Sequence, residues 1–114
     1  MKFNFDISKV ANDMLQAALP ALSKGGQKAA SCASHEFQQY IINLQYVQTL
    51  SEEGKITPQE AQFLADQYKL SMQAILLTVE GLGIIAVQQA LNAAIDVLNK
   101  AINASLGAAV KSIK

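Results

Sequence analysis

Cys32-Ala33-Ser34-His35-Glu36 is the one cluster of reactive side-chain types in the sequence. Cys32 and His35 are three apart and Glu36 is four from Cys32, a spacing that puts all three on one helix face. A thiol becomes a nucleophile when a nearby cation or a helix N-terminus favours its thiolate. Cys32 lies close to the start of a helix read below, with His35 within reach, so a small thiol-based sensor or enzyme using Cys32 is one reading. Cys32 and His35 are also a weak metal candidate. Zinc takes four ligands, and a two-fold axis would have to supply the other two. The chain has no CxxC and no second histidine. A small half-buried cysteine beside a surface histidine is the simpler account, and no metal or cofactor is expected.

The carboxylates offer less. Glu52 and Glu53 fall in a turn, Glu60 is committed to a helix cap, and Asp66 and Glu80 stand isolated. Acid–base cleavage of a glycosidic bond needs two carboxylates held a fixed distance apart across a cleft, and nothing here builds one. Glu80 is the lone charge in residues 70–95. A functional buried acid is conceivable there, but a solvent-facing or lysine-paired side chain explains it more simply. No phosphate-cradling glycine loop, nucleophile elbow or His-Glu-x-x-His helix occurs. Gly81-x-Gly83 lacks a third glycine and a preceding strand. The sequence therefore reads as non-enzymatic.

Composition narrows the partners. Nine lysines balance nine acidic residues, so no net field draws in nucleic acid or an anionic membrane. Arginine, which clamps phosphates and reads guanine edges with paired hydrogen bonds, is absent. So is tryptophan, the usual anchor of membrane belts and binding hot spots. Hydrophobic residues make up 51% and charged ones 16%, which excludes a disordered chain. Charges at Asp6, Lys9 and Asp13 interrupt any secretory apolar core, so a cytoplasmic location is the default expectation, with signal-independent export left open.

Positioning falls to helices. Alternation is never sustained, and the 114 residues read as one all-α domain, 1–114. The first helix is expected over about 8–22, from Ile7, Val10, Met14, Ala18 and Leu22 at helical spacing, with Asp6 or Ser8 as cap. Pro20 is expected to kink or end it. Ser23-Lys24-Gly25-Gly26 then reads as a loop. A second helix, about 27–53, carries Ala30, Ala33, Phe37, Ile41, Leu44 and Val47 on one stripe, with Gly54 as stop. Thr57-Pro58-Gln59-Glu60 is a capping box with proline at the first helical position. It opens a third helix over 58–106, read as one long helix with a possible kink or break at 81–83. The short link at residues 53–56 predicts an antiparallel hairpin, hence an antiparallel bundle built on a long helical hairpin.

Two charge-free runs, 37–51 and 81–95, set the functional expectation. Their outer positions hold Gln38, Gln39, Gln45, Gln48, Gln88, Gln89 and Asn92 instead of charges, and residues 81–87 are apolar all round. A helix hydrophobic on every side is buried on every side. So short a chain is expected to complete its bundle with a second copy, most simply as a two-fold dimer. The expected self-association face is Leu76, Val79, Leu82, Gly83, Ile85, Ala86, Ala90, Ala94 and Ile95, where small residues permit close backbone approach. The function this implies is that of a structural, adaptor or partner-binding module, whose partner is itself or another helical protein.

A membrane-active or secretion-assembly protein is the rival. Residues 70–95 are long enough to span a bilayer, but Gln73, Glu80, Gln88, Gln89 and Asn92 make insertion costly. The tail from Asp96 to Lys114 is amphipathic, with Val97, Leu98, Ile102, Leu106, Val110 and Ile113 on a broad face and Lys100, Lys111 and Lys114 supplying charge, as in an interfacial helix.

Overall fold

The first cap fixes where the chain becomes helical. Asp6 Oδ1 accepts hydrogen bonds from the backbone N–H groups of Ser8 at 2.9 Å and Lys9 at 3.3 Å, so Asp6 and not Ser8 is the cap. In the computed structural model, which describes residues 5–107 and side chains through residue 103, this starts helix α1 (Ile7–Leu22). The order continues with a 3-10 turn (Ser23–Gly25), α2 (Gly26–Glu52), α3 (Pro58–Leu76) and α4 (Ile84–Gly107), and no strand occurs among the described residues. Val110, Lys111, Ile113 and Lys114, part of the amphipathic tail, lie outside the described residues.

Helix α1 runs through Pro20 to Leu22, the end expected from its stripe, and Pro20 does not terminate it. Proline removes the N–H that would bond back to residue 16. So near the end of the helix little remains to be disrupted, and Leu22 is held in the core. The predicted loop at 23–26 is tighter than expected: a single 3-10 turn passes directly into α2.

The α2–α3 joint is closed at both ends. The Gly54 N–H donates to Ser51 O at 3.1 Å and the Lys55 N–H donates to Leu50 O at 2.9 Å, the paired bonds of a Schellman terminus. Gly54 sits at φ 73, where a side chain is strained. Three residues on, the Thr57 N–H donates to Glu60 Oε1 at 2.8 Å and Thr57 Oγ1 accepts from the Glu60 N–H at 3.0 Å. This is the capping box expected from Thr57-Pro58-Gln59-Glu60, and α2 and α3 pack against each other across it.

The favoured single helix over 58–106 is not formed. It is two helices, with residues 77–83 between them. The cause lies in Gly81. It adopts φ 94, and a Cβ there would collide with the backbone carbonyl of Lys24. The Leu82 N–H donates to Val79 O at 3.2 Å, so residues 79–82 form a turn with glycine in its third position. Leu82 is buried, and its Cγ would lie 3.0 Å from a Cβ on Gly25. The α3–α4 reversal is thus seated on the α1–α2 turn, a tertiary contact that helical periodicity cannot register.

Burial drives the assembly. Helix α1 contributes Val10, Ala11, Met14, Ala18 and Leu22 to the core, and α4 contributes Val87, Ala90, Leu91, Ala94 and Leu98. These two helices share the most extensive contact of the fold. Ala11, Ala18, Ala90 and Ala94 keep the facing stripes slim while Met14, Leu91 and Leu98 fill the space between. Helix α1 also packs on α2, whose Phe37 and Ile41 are fully enclosed, whereas α3 meets α4 along a thin seam only. Among the described residues no polar or charged side chain is buried.

Candidate interaction surface

The reactive cluster is placed on α2 as its spacing requires, but its chemistry is subdued. Cys32 is a free, half-buried thiol packed against the core. Burial pushes its pKa up and the Glu36 carboxylate pushes it further the same way. Both effects disfavour the thiolate, the opposite of what a nucleophilic cysteine needs. His35 is exposed and lines an open groove of about 470 Å³ between α1 and α2, together with Leu15, Ser31, Ser34 and Gln38. Cys32 does not line that groove. No group of three or more His, Cys, Asp or Glu gathers among the described residues in a way that could hold a metal ion. Glu60 is engaged by Thr57, and Glu80 is exposed on the α3–α4 connection. Asp66 accepts from Gln62 Nε2 at 2.9 Å. It also lies near enough to Tyr40 to add to the rise in its phenol pKa that burial begins.

The expected self-association face divides. Leu76, Leu82, Ala90 and Ala94 are enclosed by the chain's own core. Val79 and Ile95 are half-buried against it, and Ala86 is half-buried. The four enclosed residues are thereby unavailable as an outer face of one folded chain. Gly83 and Ile85 remain exposed, with Ile85 at 68%. The excess of apolar helix surface was therefore partly met within the molecule, which bends residues 58–107 back on themselves instead of leaving them as one long rod.

What stays uncovered lies mainly on α3 and the connection after it. Phe63 is 61% exposed and Leu70 is 55% exposed, with Leu77 also on the surface. Gln67 and Ala74 are exposed between them. Residues 63, 67, 70, 74 and 77 recur at steps of four and three, the spacing of one helix face. Helix α3 turns Met72 and Leu76 inward, so this line points directly away from the core. It contains no charge. Ile84 and Ile85 continue the apolar exposure at the start of α4. Helix α2 has a smaller counterpart in Ile42 and Tyr46, also four apart and exposed.

The outer line of α3 is absent from the residues singled out on sequence alone. The signal was present: Phe63, Leu70 and Leu77 are seven apart. A second apolar line on one helix becomes visible only when the first has been assigned to the core. Among the described residues no helix is long and apolar enough to cross a membrane. No protein-family model, curated protein or solved structure matches this chain, so its surface is what speaks for its role.

Proposed function

We propose that this chain is a non-enzymatic helical association module that pairs with a second copy of itself through the outer face of α3. The observation that carries the reading is the uncharged line Phe63, Gln67, Leu70, Ala74 and Leu77, exposed at helical spacing along a helix whose other face is committed to the core. Isolated exposed apolar residues are ordinary on a protein surface, but several of them aligned on one uncharged helix face are the kind of surface that marks an interaction site. Self-pairing suits it because two such lines meet without bringing like charges together. Leu44 and Ala65 share a groove of about 340 Å³ with Ser51 and Pro58, which supports an antiparallel α2–α3 hairpin presenting this face.

From Phe63 to Leu77 the line is about 21 Å long at 1.5 Å per residue. A strip of that length covers less than the roughly 800 Å² per partner of a standard interface, so dissociation in the micromolar range or weaker is expected. Sedimentation velocity across a wide concentration range tests this. The wild-type chain should gain mass with concentration and Leu70→Glu should stay monomeric with unchanged helicity. A wild-type chain that remains a monomer throughout overturns the reading.

A further inference from the structure

We propose that α3 and α4 are two halves of one continuous helix held apart by Gly81, and that straightening residues 77–83 lets two copies of the chain exchange their α4 helices. The inference concerns a different mode of pairing from the outer face of α3, which points away from the core and shares only Leu77 with the exchanging segment.

Four observations converge. The helical pattern of the sequence runs without a proline or polar turn cluster from 59 to 106. The connection already begins as helix: the Leu77 N–H donates to Gln73 O at 3.0 Å and the Val79 N–H to Leu76 O at 3.1 Å. Little holds α3 to α4 directly, since their seam is thin and encloses an open space of about 170 Å³ lined by Lys69, Gln73, Gln88 and Asn92. The reversal depends instead on Gly81, with its φ of 94 and its close approach to the Lys24 carbonyl.

Opening that one turn costs few α3–α4 contacts but strips α4 from α1, the largest contact in the molecule. Two opened chains recover it by exchange, because each α4 finds on the partner the same α1 surface it left. Complementarity is therefore built in. The straightened helix would place Leu77, Ile84 and Ile85, all exposed in the closed chain, at the crossover between the two copies. This accounts for exposed apolar residues on both sides of a turn, where polar residues are the norm.

Glycine then acts as the element that keeps the chain closed. Residues 79–82 follow the pattern of a type II turn, with glycine third and a position that accepts proline second. Glu80→Pro should lock the closed chain, since proline fits that turn and breaks a continuous helix. Gly81→Ala should favour exchange, being strained in the turn and preferred in the helix. Gly83→Ala meets open space, so it favours the helix without disturbing closed packing. Each glycine replaced should tighten the dimer by about tenfold or more, since alanine is preferred in a helix interior in both chains.

The test separates exchange from outer-face pairing by using a Leu70→Glu background throughout. Spin labels at Lys69→Cys and Asn92→Cys, with Cys32→Ser, report the α3–α4 separation within one chain when labelled protein is diluted in unlabelled protein. Gly81→Ala should give dimers by light scattering and lengthen the intrachain distance to about 35 Å, the span of one straight helix. Should Gly81→Ala fail to fold, Gly83→Ala is expected to show the same two changes to a smaller degree, and adding Glu80→Pro should abolish them. Variants that stay monomeric, or dimers that keep the short intrachain distance, overturn the proposal while leaving the outer-face reading intact.

Discussion

Phe37 is the largest fully enclosed side chain, and truncating it should be the most damaging single change in the interior. Phe37→Ala is expected to cost about 3–5 kcal/mol, a large fraction of the stability of so small a fold, read as a drop in the urea midpoint. Titration is a second handle at this scale. Burial, then Asp66, raises the Tyr40 pKa, and burial, then Glu36, raises that of Cys32. The folded chain therefore holds these protons more tightly than the unfolded one. Their contribution is complete below the unfolded-state values, about 8.5 for cysteine and 10 for tyrosine. It is lost as pH climbs through the higher folded-state ones. Stability should thus fall on the alkaline side, and Tyr40→Phe should flatten the loss between pH 9 and 11 in urea titrations. The same shift makes Cys32 a slow thiol: its alkylation at neutral pH should lag behind that of a free cysteine. A Cys32 that reacts faster than free cysteine would restore the sensor reading.

At the level of elements, the α2–α3 joint is where local sequence chemistry dictates structure most directly. Thr57→Ala removes the acceptor for the Glu60 amide and should lower stability by about 1 kcal/mol, measurable by thermal melts. This joint was legible in advance, because every determinant of a capping box lies within four residues. Helix α1 and helix α2 were legible within a residue or so for the same reason: their stripes and caps are local. The α3–α4 break was not, since the feature that enforces it is the fit of Gly81 against Lys24, distant in sequence. Periodicity alone favoured continuity there and missed the contact that overrides it. Leu82, Ala90 and Ala94, expected at a self-association face, are enclosed in the chain's own core once residues 58–107 fold as two helices.

For the whole molecule, self-pairing makes stability depend on amount. If the paired form is favoured over the unfolded chain, the melting temperature of the wild type should rise with protein concentration, whereas that of Phe63→Glu should not. Among the described residues the core shared by the four helices holds no polar group beyond the Tyr40 phenol to mark a position. Hydrocarbon surfaces hold their alignment by fit alone, and a slip that sets leucine against a buried alanine costs about 1–3 kcal/mol per site. The ends add directional contacts to that fit, through the Schellman closure before α3 and the seating of Gly81 on the first turn. Loosening those ends while leaving the interior untouched should yield a chain that keeps its helicity but loses its sharp, single set of methyl resonances, the behaviour of a bundle whose rods slide.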